Sequence, residues 1–233
     1  LIPFCIAVDE KYQANWHHDV IGRKLEEALE KVARGDKARI ILEVPPRHGK
    51  SELATIKFPA WALGKYPDIP VIVSSYSGDL ATDFGFKTRD LMQNENYQVI
   101  FGTRLRADSK AKGKWLTEQG GGYTAAGVGG GITGRGFKIG IIDDPFKNRE
   151  EADSETIREK VWGWYTSTFY TRQEGNGAII VICTRWHLND LVGRLLEEEE
   201  KARASGVKEY DQWDVIRFPA IADEDEPHRK AGE

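Results

Sequence analysis

Two hydrophobic patterns alternate along the chain. Short runs are apolar at every position, and longer stretches carry an apolar residue every three or four positions. In the second class, Ile21, Leu25, Ala28, Leu29 and Val32 mark one face of a helix over 18–33, which Gly35 ends. Helices are also predicted over 79–92, where Leu80, Phe84 and Leu91 are the apolar positions, over 153–169 and over 188–203. The first class predicts strands over 39–44, 70–75, 139–142, 178–183 and 213–218, with more strand material and a glycine turn within 113–126. The first sixteen residues show no clean period. Continuously apolar strands between helices imply a mainly parallel sheet covered on both faces, because only strands buried on two sides can dispense with alternation. The fold class expected is therefore α/β, a three-layer sandwich. The charged segment after Ala222 reads as the start of a linker, so 1–222 is expected to be one domain and 223–233 its exit.

Composition narrows this picture. With 233 residues, 40% hydrophobic and 30% charged, the chain can bury a sizeable core. No apolar run approaches the ~20 residues of a membrane span, so no membrane partner is expected. No leader pattern is present, and the missing initial methionine suggests a piece of a longer chain. A net charge of −4 counts mildly against a protein that simply coats nucleic acid. Cys5 and Cys183 are too few for a disulfide framework or a cysteine-rich zinc site, and a reducing, intracellular setting fits. Adjacent side chains diverge on a helix, so His17 and His18 are not expected to share a metal.

Chemistry concentrates at two places. Residues 42–52 read Leu-Glu-Val-Pro-Pro-Arg-His-Gly-Lys-Ser-Glu, between a buried strand and a helix limited or kinked by Pro59. Gly-Lys-Ser at that junction is the end of a P-loop. Gly49 lets the backbone curl so that N–H groups face phosphate oxygens. The helix N-terminus adds unpaired donors. Lys50 is placed to reach the β- and γ-phosphates, and the Ser51 hydroxyl to bind Mg²⁺. Arg47 adds a second positive group, His48 a hydrogen bond or loop shape, and Glu52 completes the candidate set. Val44 stands where the usual loop has its first glycine. The second place is Ile-Ile-Asp-Asp-Pro at 141–145, a strand end able to hold Mg²⁺ through Asp143. Asp144 is the first choice for the carboxylate that orients water, with Glu150 and Glu151 as alternatives that fold back. Arg135, between Gly134 and Gly136 just before the acidic strand, is expected near one edge of the site as an arginine finger acting across a subunit boundary, with Arg149 and Arg185 as the other candidates.

Taken together, Pro45–Ser51, Ser74–Ser77, the glycine-arginine stretch Gly127–Gly136, Ile142–Pro145 and Thr184-Arg185-Trp186-His187 resemble the ATPase portion of phage large terminase subunits over nearly the whole chain. The resemblance implies a P-loop NTPase of the ASCE type, with ATP and Mg²⁺ as cofactors. It implies ATP hydrolysis that drives double-stranded DNA into a procapsid, in a homo-oligomeric ring at the portal protein, with a small terminase subunit as partner. The isolated domain is expected to be monomeric. The setting implied is the host bacterial cytoplasm and, transiently, the procapsid portal vertex. In such proteins the first glycine is absent and an internal arginine is present, as Val44 and Arg47 have it. The resemblance maps the Mg²⁺ ligand to Asp143 and the catalytic carboxylate, usually glutamate, to Asp144. The coupling motif maps to Thr184 and Arg185, and the adenine side to Gln13, Trp16 and His17. A nuclease portion is expected outside these residues, because no convergent acidic cluster follows Leu188. The competing readings are another ring-forming or helicase-like P-loop NTPase, and a phage structural protein that holds ATP without hydrolysing it.

Overall fold

The computed structural model describes residues 1–109, 111–132 and 134–233; Lys110, and Thr133 of the glycine-arginine stretch, lie outside the described residues. In chain order the elements are α1 (Ile2–Val8), α2 (Trp16–Ala33), β1 (Ala38–Glu43), α3 (Phe58–Lys65), β2 (Pro70–Ser75), α4 (Gly78–Met92), α5 (Glu95–Ile100), β3 (Lys114–Leu116), β4 (Gly122–Gly127), β5 (Phe137–Asp143), α6 (Arg149–Asp153), α7 (Glu155–Trp164), β6 (Gln173–Cys183), α8 (Leu191–Ala204) and β7 (Asp214–Arg217). The sheet order is β3-β4-β2-β5-β6-β1-β7, parallel throughout except for β3 against β4. The strand before the phosphate loop, β1, and the acidic strand, β5, both flank β6, the inserted strand of the ASCE arrangement.

Each central strand feeds two cores by the alternation of its side chains. Ile40, Leu42, Ile139, Ile141, Ile180 and Ile182 pack into a core with α1 to α5. Ile41, Ile142, Ile179 and Val181, on the other face, pack with α7 and α8. This double burial is why the strands read as unbroken apolar runs. Register then sets the functional edge. Glu43 pairs with Cys183, and Asp143 pairs with both Ile182 and Ser75, so the C-terminal ends of β1, β5, β6 and β2 finish level.

Four local features differ from the sequence reading. The aperiodic start contains α1, whose Phe4, Cys5 and Val8 are buried. The helix expected over 153–169 is replaced by α7 and a π-helical stretch, Tyr165–Phe169, with a separate short helix, α6, ending at Asp153. Strand β6 starts at Gln173, well before its apolar run. The segment 223–233 has no strand or helix but lies against the domain: His228 stacks on Trp16 at 4.8 Å and 18°, and Arg229 donates to the Pro219 carbonyl at 2.7 Å.

The helix after the phosphate loop runs as a π-helix over Glu52–Lys57 before α3 begins. Pro59 explains the change. It has no N–H to give the Thr55 carbonyl and its ring crowds that carbonyl, and a widened π turn relieves both conflicts.

Gly140, in the middle of β5, is a packing glycine. A Cβ there would lie 2.6 Å from the Phe137 ring and 2.8 Å from the Phe169 ring. Gly140→Ala is expected to cost about 1–3 kcal/mol through overfilling. Phe137→Leu in the same chain is expected to return part of that loss. Urea unfolding of the wild type and the two variants checks this, and an unchanged midpoint for Gly140→Ala would show that the ring is not fixed over the strand.

Candidate nucleotide-binding site

Three strand ends and one loop converge at the C-terminal edge of the sheet. The loop between β1 and the π-helical stretch uses two left-handed residues, Arg47 at φ 64° and Gly49 at φ 73°. Glycine is required at 49 on a second ground, since a Cβ there would sit 2.7 Å from the His18 Nε2 atom. Arg47 bears the strain of a conformation that L residues seldom adopt. A cleft of about 410 Å³ opens beside the loop, lined by Arg47, Gly49, Lys50, Ser51 and Glu52 from the loop side and by Tyr76, Asp144, Lys147, Thr184 and Trp186 opposite. These are the sizes and groups that a polyphosphate needs.

Lys50 is folded into the wall of this cleft and is 5% exposed. Its Nζ donates to Thr184 Oγ1 at 2.6 Å, to Asp144 Oδ1 at 3.0 Å and to the Val44 carbonyl at 3.5 Å. Asp144 Oδ1 also accepts from the Thr184 N–H at 2.9 Å. Strand β5 ends at Asp143, and Asp144 turns to φ 45°. Alternation therefore stops there, and Asp144 faces the loop lysine instead of the opposite side of the sheet. Its backbone is tied to both neighbouring strands, N–H to the Ile182 carbonyl and carbonyl to the Tyr76 N–H.

Asp143 is buried to 1% exposure. Its Oδ2 accepts from Thr55 Oγ1 at 2.7 Å, while Oδ1 has no hydrogen-bond partner. Burial, then the neighbouring Asp144 charge, raises its pKa from 3.8 to about 6, against hydrogen bonds from Thr55 and Ser51 and the Lys50 charge. A buried carboxylate oxygen without a partner beside a serine hydroxyl suits Mg²⁺, which takes few protein ligands and keeps oxygens of water and phosphate. Among the described residues no cluster of three or more His, Cys, Asp or Glu converges, so a cage built wholly from such side chains is not present there.

Arg185 lies one residue beyond Thr184 and holds an ion network built on two buried carboxylates, Glu43 and Asp190. It donates to Glu43 Oε1 at 2.7 Å and Asp190 Oδ2 at 2.8 Å. Glu43, at the end of β1, also accepts from Arg217 Nε. Burial pushes the Glu43 carboxyl upward, but hydrogen bonds from Arg217 and Arg185 outweigh it and leave the pKa below its ordinary value. Residues 184 and 185 thus touch the phosphate loop on one side and the strand before it on the other.

On the other side of the loop, Trp16, His17, Pro45, His48, Phe218 and Arg229 help line a smaller cavity of about 180 Å³. Gln13 is exposed and lines neither cavity. His17 Nε2 meets the His48 carbonyl at 3.1 Å, so its polar atom is turned to the loop backbone. Burial, against the pull of that carbonyl, lowers its pKa.

Glu150 and Glu151 sit on exposed α6 and line neither the cleft nor its neighbour; Glu151 caps the turn by accepting from the Lys147 N–H at 2.9 Å. The expectation that Arg135 emerges at an edge of its own site is corrected. It precedes the N-terminal end of β5, a strand length of about 20 Å from Asp143. There it lines a separate cavity with Asp68 and Glu174. The sequence reading missed Thr55, Glu43 and His18. Thr55 was legible, since it lies four residues after Ser51 and shares its helix face. Glu43 and His18 carry no local signal, because their partners are distant in the chain.

The chain is similar to the crystal structure of the HK97 bacteriophage large terminase, with a TM-score of 0.55 and 15% identity, over 91% of this chain and 40% of that one. It therefore spans less than half of that protein's length, and at this identity the likeness concerns the fold. No curated protein sequence matches. The family profile described as terminase large subunit, T4likevirus-type, N-terminal, matches residues 41–233, which takes in the phosphate loop, the acidic strand and the Thr184-Arg185 segment. The chain therefore belongs to the terminase large subunit family, as an N-terminal portion.

Proposed function

We propose that this chain is a Mg²⁺-dependent ATPase that powers movement of double-stranded DNA into a phage procapsid. The observation that supports it best is the convergence of Lys50, Asp144 and Thr184 at one cleft on the C-terminal edge of a mainly parallel sheet, with Asp143 buried next to Asp144 and bonded to Thr55, in a chain of the terminase family. Such a lysine and such a strand-end carboxylate are the two protein parts that phosphoryl transfer requires. Family membership further supports the portal protein, the small terminase subunit and a ring of copies as partners, working in the host cytoplasm at the portal vertex.

Asp143 Oδ1 and Ser51 would hold Mg²⁺, which neutralises charge on the β- and γ-phosphates when bound. Lys50 exchanges Asp144 for phosphate oxygens. That exchange frees the Asp144 carboxylate to orient a water for in-line attack. Thr184 loses the lysine contact at the same moment, and Arg185 passes the change to Glu43 and Arg217. Trp16 would meet the base once His228 leaves the ring it stacks on, while His17 serves the loop. With aspartate where relatives carry glutamate, the left-handed turn at Asp144 brings the shorter side chain to the cleft.

Three outcomes are expected. Lys50→Ala should fold, yet lose ATP hydrolysis by roughly a hundredfold or more. In the full-length protein the same change should end DNA uptake into empty capsids, scored by protection from added nuclease. Unchanged turnover in a folded variant would remove the cleft from consideration.

Asp143→Asn should weaken Mg²⁺-nucleotide binding. Asp144→Asn should keep binding near normal and slow hydrolysis, and Glu150→Gln and Glu151→Gln should do neither. Fluorescent-nucleotide titration with steady-state phosphate release separates these cases. Normal turnover in Asp144→Asn would transfer the role of the base elsewhere.

The raised Asp143 pKa fixes a sign for the nucleotide-free protein. The folded form holds this proton more tightly than the unfolded form, so the group's contribution to stability is fully present below pH 3.8 and lost as pH rises to about 6. Asp143→Asn should thus stabilise the nucleotide-free chain above pH 6, and the gain over wild type should shrink toward pH 4. Melting temperatures across that range test it, and a gain that grows on acidification would contradict the assignment.

A further inference from the structure

The first turn of α2 bears on the phosphate loop in a way the catalytic scheme does not use. His17 Nε2 and His18 Nε2 each lie 3.1 Å from the same atom, the carbonyl oxygen of His48. Both rings are buried. A carbonyl only accepts, so both nitrogens must carry hydrogen. For His18 the other nitrogen fixes this independently, because Nδ1 accepts from the Asn15 N–H at 3.3 Å in the capping box of α2. The His48–Gly49 peptide is trans and planar, so the Gly49 N–H points opposite to the His48 carbonyl. Gly49, Lys50 and Ser51 line the cleft, and neither histidine ring does.

We propose that His17 and His18 are positioning residues. They clamp the His48 carbonyl outward and thereby aim the Gly49 N–H at a bound phosphate. The left-handed conformation of Gly49, and the lack of room for a Cβ against His18, are the local signs of the same clamp. Without it the peptide is free to rotate, and the carbonyl dipole then turns toward the phosphate charge. The clamp gives His17 a role on the polyphosphate side of the nucleotide. It rests on the reading of the cleft as a phosphate site.

The test compares two paired variants, His17→Leu with His18→Leu, and His17→Gln with His18→Gln. Glutamine places an amide N–H at the same number of bonds from Cβ as imidazole Nε2, and leucine does not. At 18 the glutamine carbonyl can still take the Asn15 N–H, as an N3 glutamine does in a capping box, so His17→Leu against His17→Gln, where no cap contact is involved, is measured as well and isolates one donor. Competition titrations use Mg-ADP, pyrophosphate and adenosine. The leucine pair should weaken ADP and pyrophosphate about thirtyfold, the worth of two neutral hydrogen bonds, and leave adenosine unchanged. The glutamine pair should recover most of that loss. Adenosine and ADP weakening together while pyrophosphate holds would make these residues base contacts and overturn the proposal, as would wild-type binding in the leucine pair. Imidazole nitrogen-15 spectra of the native chain give a second decision that needs no variant. Both rings should show protonated Nε2 at neutral pH; an unprotonated Nε2 in either ring rules out its hydrogen bond. If the native chain binds neither ADP nor pyrophosphate, the phosphate reading of the cleft is what fails, and the ring spectra still decide the clamp.

Discussion

The contact on which the rest of the site depends is that of Lys50 with Asp144 and Thr184. A lysine buried at a loop tip needs anionic or polar partners, because an isolated ammonium in that place is costly to desolvate. In this structure one carboxylate and one hydroxyl supply them. They come from the ends of β5 and β6, so the pairing also fixes the loop against the sheet. A polyphosphate offers the same lysine stronger partners. On the proposed reading a nucleotide would replace these partners at the lysine.

The sheet makes this possible by aligning strand ends. Placing β6 between β1 and β5 puts Thr184 between the loop and the acidic pair, where it touches both. The π-helical turn adds a second alignment. Where Pro59 would break a regular helix, the widened turns keep the chain helical and Thr55 reaches the buried Asp143. Arg185 extends the system outward to Glu43 and Arg217, at the ends of the two strands beside β6 and β1. The Lys50–Asp144–Thr184 contacts and the Arg185–Glu43–Arg217 ion pairs are thus two sets joined through the Thr184–Arg185 peptide bond.

Much of this was legible in the chain itself. Unbroken apolar runs gave the parallel, doubly covered sheet, because alternation is unnecessary where both faces are buried. Gly49-Lys50-Ser51 and Asp143-Asp144 stood out because each residue type answers a specific need of a phosphate or a cation. Other features depend on distant partners and left no local trace. Helix α1 is short; its buried Phe4, Cys5 and Val8 keep helical spacing, but Ile2, Ile6 and Ala7 are apolar too, so no polar face marked the period. The left-handed turn that redirects Asp144 cannot be read from Asp-Asp-Pro, where strand alternation suggests the opposite orientation. Sequence adjacency placed Arg135 near the acidic strand, yet it joins that strand at the far end. His17 was chosen for the base side by resemblance, while its ring nitrogen is committed to the loop carbonyl.

The central claim is that Lys50 trades Asp144 for phosphate. A crystal structure of the chain with Mg²⁺ and a non-hydrolysable ATP analogue measures this directly. The account predicts Lys50 Nζ on β- and γ-phosphate oxygens, Asp143 on the metal side, and an Asp144 carboxylate no longer paired with the lysine. A bound triphosphate with the Lys50–Asp144 pair intact, or one seated away from the loop, would contradict it.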